Sequence, residues 1–131
     1  MFGVSCRYCL NALTGPDEMA LAGLVMGSDG AIGSTYNVQP RLNCALHEAF
    51  HAGDIKAAMA LQDKLNVVIS ELIRVCDCRS RGTNIIAGLK AVYRSRGINV
   101  GPVRASAATE LTAAQEDGLM AFLAGLAWKA E

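Results

Sequence analysis

The chain has 131 residues, room for one domain, and its 12 Lys+Arg against 12 Asp+Glu leave no net charge to steer a polyanion. Nucleic acid is therefore excluded as an expected partner. Hydrophobic residues make up 52% and aromatics only 5%, so the core must be built from Ala, Leu, Val, Ile and Met, a composition that favours helix packing. No run approaches about 18 consecutive apolar residues, and the amino terminus lacks the segments of a secretory signal. These features predict a soluble, cytoplasmic protein with no membrane partner.

Taken in chain order, residues 9–13 are short and mostly apolar and end at the turn signal Thr14-Gly15-Pro16, which predicts a buried parallel strand. A helix is expected next. Pro16 suits a first-turn position, Asp17 and Glu18 lie near the positive end of the dipole, and Leu21, Leu24 and Val25 supply an apolar stripe that Gly27 closes. Ser28-Asp29-Gly30 is a second turn, residues 31–32 are a very short core strand, and Gly33-Ser34-Thr35 precedes a helix over 38–50. Ala52-Gly53-Asp54 ends that helix and caps a longer one. On the long helix Ile55, Ala58, Met59, Gln62, Leu65, Ile69, Leu72, Ile73 and Cys76 share a face that reads as plain core. A helix over 84–93, a loop over 97–102 and a last helix from about Thr109 to Lys129 complete the pattern. Thr109-x-x-Thr112 lacks the capping-box acid, but Glu110 and Glu116 sit early, as the dipole prefers.

This order predicts an α/β chain, mostly helical, with two βα units over residues 1–52 and a helical extension over 53–131. Two parallel strands cannot make a stable sheet alone, so further strands are expected upstream. The five cysteines, Cys6, Cys9, Cys44, Cys76 and Cys78, are odd in number, which points to free thiols in a reducing compartment. Cys6-x-x-Cys9 has metal-site spacing, but Cys76-x-Cys78 is too tight for the usual zinc pair, so no metal is assigned.

Two segments carry the chemistry: Thr14-Gly15-Pro16-Asp17-Glu18 and Gly30-Ala31-Ile32-Gly33-Ser34-Thr35-Tyr36-Asn37, each placed where a strand hands over to a helix. Barrel enzymes build their sites at such places. Paired carboxylates are acceptor-only groups that suit a ligand rich in hydroxyl donors, and a glycine lets backbone approach closely. The bland alternative makes Asp17 and Glu18 dipole partners and Ser34-Thr35 a helix cap.

In order and spacing these segments resemble the last two strand ends of the N-acetylneuraminate lyases, where G-x-D-E is followed by G-x-I-G-S-T-Y-N. The resemblance continues through Ala52-Gly53-Asp54-Ile55 and Gly101-Pro102 and covers the chain from about Asn11. It implies the last two βα units of a TIM (β/α)8 barrel. The implied reaction is that of a class I aldolase without a cofactor, in which a lysine Schiff base cleaves N-acetylneuraminate to N-acetylmannosamine and pyruvate. Carried over by motif position, Gly15 contributes backbone, Asp17 and Glu18 accept from sugar hydroxyls, and Ser34 makes a further bond. The resemblance also implies a homotetramer. Residues 1–8 fail to resemble the helix expected before the seventh strand. The family's strand-terminal lysine has no counterpart here: Lys56, Lys64, Lys90 and Lys129 all fall on predicted helices after the sugar loops, so no catalytic residue is assigned. The isolated chain is expected to be inactive and to self-associate through apolar surface.

Two other activities compete. His47-Glu48-Ala49-Phe50-His51 fits the H-E-x-x-H pattern of zinc hydrolases, but these are the only histidines, and a third ligand would have to be a carboxylate such as Glu71. Another 2-keto acid aldolase or dehydratase of the same superfamily is the nearer alternative. A non-catalytic association fragment is the third.

Overall fold

The computed structural model describes residues 11–76, 85–104 and 109–126. Strand β1 (Leu13–Thr14) pairs in parallel with β2 (Gly30–Ala31), with Leu13 opposite Gly30 and Thr14 opposite Ala31. The backbone pairing extends to either side, Asp29 N–H donating to the Ala12 carbonyl at 2.7 Å and Ile32 N–H to that of Thr14 at 2.9 Å. Parallel strands need a crossover of a dozen or more residues. It is made by a 3-10 turn (Asp17–Met19) and helix α1 (Ala20–Val25). Gly23 lets α1 lie directly on β1, because a Cβ there would come within 2.5 Å of the Thr14 Cβ.

A second 3-10 turn (Thr35–Asn37) leads into α2 (Pro40–His51), whose first helical residue is a proline with no N–H to leave unpaired. At its end Gly53 N–H donates to the Phe50 carbonyl at 3.0 Å and Asp54 N–H to that of Ala49 at 2.9 Å. Gly53 has φ 79°, the left-handed conformation that this ending requires. Asp54 then turns its side chain forward, Oδ1 accepting from Ala57 N–H at 2.9 Å, and caps α3 (Ile55–Val75). Gly27 and Gly97 close α1 and α4 (Ile85–Ser95) with the same pair of bonds. The last helix, α5 (Ala113–Gly125), starts at Thr112, not Thr109. Thr112 and Gln115 form a reciprocal capping box, one turn beyond the start expected at Thr109.

The described residues fall into two compact units that divide within α3, between Asn66 and Val67. In the first, Leu21, Leu24, Leu46, Ala58 and Leu65 form the core, with Leu42, Ala49, Phe50 and Leu61 packed against it. In the second, Gly88 is in contact with Leu72, Cys76 and Leu119, all three of them buried.

The expected elements need three corrections. The second strand begins and ends one residue earlier than expected, and Ile32, read as core, is 67% exposed because no described layer covers that part of the sheet. On α3 and just beyond it Ala58, Gln62, Leu65, Ile69, Leu72 and Cys76 are buried as expected, but Ile55, Met59 and Ile73 are exposed. Val68 and Val75 are buried as well, so the buried face is offset from the assigned one. The first strand, expected over 9–13, is described only at Leu13–Thr14; Cys9, like Cys6 and Cys78, lies outside the described residues. Neither Cys44 nor Cys76 is in a disulfide, and the first is exposed and the second buried.

Candidate functional site

Asp17 and Glu18 follow β1, Ser34 and Thr35 follow β2, and because the strands are parallel both turns leave the sheet at the same end. The two turns are joined directly. Asp17 Oδ2 accepts from Thr35 N–H at 2.6 Å and from Thr35 Oγ1 at 2.5 Å, across 18 residues of sequence. Both partners are buried, so these charge-assisted bonds lie in a medium where leaving either group unmade is costly. The Gly15 and Ser34 turns therefore lie side by side.

Gly33 makes this contact sterically feasible. An ideal Cβ built on it would lie 1.3 Å from Asp17 Oδ1 and 2.4 Å from Asp17 Cγ, so only a residue without a side chain lets the carboxylate into the space. Gly15, by contrast, has nothing within 4 Å of its notional Cβ and is exposed. Glu18 and Ser34 are exposed as well. The four residues singled out in the sequence therefore divide into three that face solvent and one, Asp17, whose Oδ2 is already occupied by Thr35.

Asp17 and Glu18 do lie in the first turn of the 3-10 helix, as the dipole alternative has it, but side-chain capping by Asp17 or Ser34 is not what the bonds show. The Asp17 side chain bonds across to Thr35, and Ser34 makes no side-chain cap to the turn it precedes. Sequence reasoning missed Thr35 and Gly33 as parts of the site, although both lie inside the G-S-T-Y-N run. It also missed Gln62 of α3. The Gln62 side chain is buried, donates from Nε2 to the Asp17 carbonyl at 3.1 Å and to Asn66 Oδ1 at 3.0 Å, and accepts from Leu21 N–H at 2.9 Å. Its signal was a polar residue on an otherwise apolar stripe.

Next to these groups is Tyr36, whose hydroxyl is buried and makes no hydrogen bond. Burial and, secondarily, the negative charge of Asp17 push its phenol up to about 12, so it stays protonated at physiological pH.

The H-E-x-x-H segment lies on α2. His47 and His51 have ring centroids 6.4 Å apart, and partial burial, then the neighbouring His51, lowers the His47 pKa below the ordinary imidazole value. Among the described residues no three His, Cys, Asp or Glu side chains converge on a site that could hold a metal. Glu71, considered as a third ligand, is held by Arg74, which donates from Nε at 2.7 Å and lowers the carboxyl pKa. Of the lysines, Lys56 and Lys64 are exposed, and Lys90 Nζ donates to the carbonyls of Val100, Gly101 and Pro102 at 3.1, 3.3 and 2.7 Å. Lys129 lies outside the described residues. No helix among the described residues is long and apolar enough to cross a membrane.

Comparison with known proteins gives concordant results. The N-acetylneuraminate lyase of Rhizobium meliloti (strain 1021) is 42% identical over 90 residues, covering 69% of this chain and 27% of that relative. The N-acetylneuraminate lyase of Lactiplantibacillus plantarum is 40% identical over 93 residues, covering 70% of this chain and 29% of that relative. The wild-type sialic acid aldolase of Ruminococcus gnavus superposes with a TM-score of 0.70 at 30% identity, covering 83% of this chain and 34% of that structure. A dihydrodipicolinate synthase from Bacteroides thetaiotaomicron gives 0.72 at 24% identity, which speaks to fold alone. The chain thus spans about a third or less of the length of the proteins it matches. The superfamily folds as a TIM barrel, and a mostly helical chain with two short parallel strands is consistent with part of one. The model of the dihydrodipicolinate synthetase family matches residues 4–125, and the chain belongs to that family.

Proposed function

We propose that this chain supplies the sugar-tail recognition of an N-acetylneuraminate lyase, as the last two βα units of its barrel (residues 1–52) with a helical extension (53–131). The reaction of the whole protein is then Schiff-base cleavage of N-acetylneuraminate to N-acetylmannosamine and pyruvate. One observation carries the reading: the Asp17–Thr35 bonds fasten two strand-end turns side by side, and Gly15, Glu18 and Ser34 emerge from them into solvent. A polyol offers several hydroxyl donors at once, and a free carboxylate beside an exposed glycine backbone and a serine hydroxyl matches that need. Asp17, buried and tied through Oδ2 to Thr35, would reach a sugar hydroxyl only through Oδ1, which lies against Gly33. The relatives named N-acetylneuraminate lyase support the substrate class.

None of the described lysines, Lys56, Lys64 and Lys90, follows a strand, which supports placing the Schiff-base amine outside this sequence. The exposed Leu13 and Ile32 support the same reading, because parallel sheets are ordinarily covered on both faces. The cytoplasm, with its reducing conditions, remains the compartment proposed for the free thiols.

The test is a titration of the chain with N-acetylmannosamine and with pyruvate, followed at individual backbone amides by NMR. Shifts at Gly15, Glu18 and Ser34 with the sugar and none with pyruvate are expected. Losing the Glu18 charge in Glu18→Gln should weaken sugar binding by about tenfold or more, the equivalent of one charge-assisted bond. A pyruvate response at these residues, or a borohydride-trapped adduct on any lysine, would overturn the assignment.

A further inference from the structure

We propose that Gln62 is the positioning residue of the sugar-binding turn, a role that rests on the sugar-recognition reading of Asp17 and Glu18. The first turn of any helix has N–H groups without intrahelical partners. For α1 no side chain at the N-cap satisfies them, since Met19 occupies that position and makes no cap bond. The Leu21 N–H is one such donor, and Leu21 is buried away from water. Gln62, 41 residues further along and on α3, provides the acceptor with Oε1 at 2.9 Å.

The same amide holds the other end of the turn. Its Nε2 donates to the Asp17 carbonyl at 3.1 Å, so the backbone is gripped just before Glu18 and again three residues after it. Nε2 also donates to Asn66 Oδ1 at 3.0 Å, one helical turn away on α3. The two backbone partners fix which way the amide faces. Flipped, Oε1 would confront the Asp17 carbonyl and Nε2 would confront the Leu21 N–H, turning both backbone pairings into repulsions. With the Asp17 carboxylate tied to Thr35, the segment around Glu18 is constrained from α3 and from the neighbouring turn, while Glu18 itself stays exposed. A binding carboxylate held on such a mount gives up less freedom when a ligand arrives.

A glutamine at this site is more than a space-filler. Leucine has similar bulk but would leave the buried Leu21 N–H without a partner and the Asp17 carbonyl with the Ala20 N–H alone, whereas glutamate would keep the acceptor and lose both Nε2 donations. The two variants therefore separate the two grips.

The experiment uses the 131-residue chain and two readouts. In amide hydrogen exchange, Gln62→Leu should speed exchange at Leu21 by about tenfold or more, the loss of one buried bond, while leaving Leu119 of α5 unchanged. Equal acceleration at both residues would mean general destabilisation and would overturn the proposal, as would no acceleration at Leu21. In the N-acetylmannosamine titration, Gln62→Leu should bind about tenfold more weakly. Gln62→Glu should keep Leu21 protected and still bind more weakly than the unchanged chain. If Gln62→Leu fails to fold, Gln62→Glu decides alone: undiminished sugar affinity refutes the positioning role. If the unchanged chain shows no sugar response, the sugar reading falls and takes the functional half of the proposal with it. Hydrogen exchange then still decides whether Gln62 grips the turn.

Discussion

Gly33→Ala is the sharpest perturbation available, because the contact it disturbs joins the two turns. The added methyl would sit 1.3 Å from Asp17 Oδ1 and 3.0 Å from Oδ2, so the whole carboxylate must leave its place. Gly33 is not among the glycines of positive φ, which are Gly27, Gly53, Gly97 and Gly101, so backbone strain makes no contribution. The displaced carboxylate gives up the Thr35 N–H and Oγ1 bonds. Two charge-assisted bonds at about 1.5–3 kcal/mol each, partly offset as the carboxylate reaches water, give an expected loss of about 2–4 kcal/mol. Equilibrium urea unfolding should show it as a lower midpoint at unchanged slope. In an Asp17→Ala background the methyl has nothing to displace and should cost under about 0.5 kcal/mol, so the two substitutions couple strongly. Gly15→Ala, with open space around its notional Cβ, is the neutral control. If Gly33→Ala costs the same with and without the Asp17 carboxylate, the steric account is wrong.

Three further outcomes are expected. Gly88→Ala would bring a methyl within 2.7 Å of Cys76 Sγ and 3.0 Å of a Leu72 methyl, and overpacking of this kind should lower stability by about 1–3 kcal/mol in thermal or urea unfolding. Thr112→Ala removes the side-chain half of the α5 capping box and should lower stability by about 0.5–2 kcal/mol, whereas Thr109→Ala should not match it. Tyr36, raised from 10.0 to about 12, binds its proton more tightly in the folded chain than in the unfolded one. Its contribution to stability is therefore complete below pH 10 and is lost between pH 10 and about 12. Phenolate absorbance should show a component titrating near 12 that disappears in Tyr36→Phe, and a Tyr36 that titrates near 10 would contradict its burial.

The punctuation of the chain was legible because it is local. Gly27, Gly53 and Gly97 end helices through bonds reaching back three and five residues, and Asp54 caps through a bond reaching forward three. The parallel pairing was legible for a related reason, since two short apolar runs separated by one helical stretch have few other arrangements. The boundaries of α5 were less so. Thr112 has Gln115 three residues on where Thr109 has Thr112, so the capping-box pattern itself favours Thr112, a sign that a reading begun at Thr109 passes over.

The roles of Asp17 and Gln62 were not legible, and the reason is physical. Local rules gave Asp17 a helix dipole to face and Gln62 a place in an apolar stripe, yet their partners lie 18, 41 and 45 residues away. A sequence window cannot contain such a partner. What it does contain is a conflict: a charged or amide side chain at a position whose neighbours are destined for burial. A buried polar group must find a hydrogen bond or exact a cost comparable to the stability of a single contact network, so each conflict implies an unseen partner. Gly33 is the matching signal on the other side, because a glycine outside a positive-φ turn points to an atom that needs its space. In this chain the polar residue in the stripe, the acid at the strand end and the glycine two residues before Thr35 converge on one turn. That convergence, more than any single motif residue, is the physical reason for proposing the binding function at that turn.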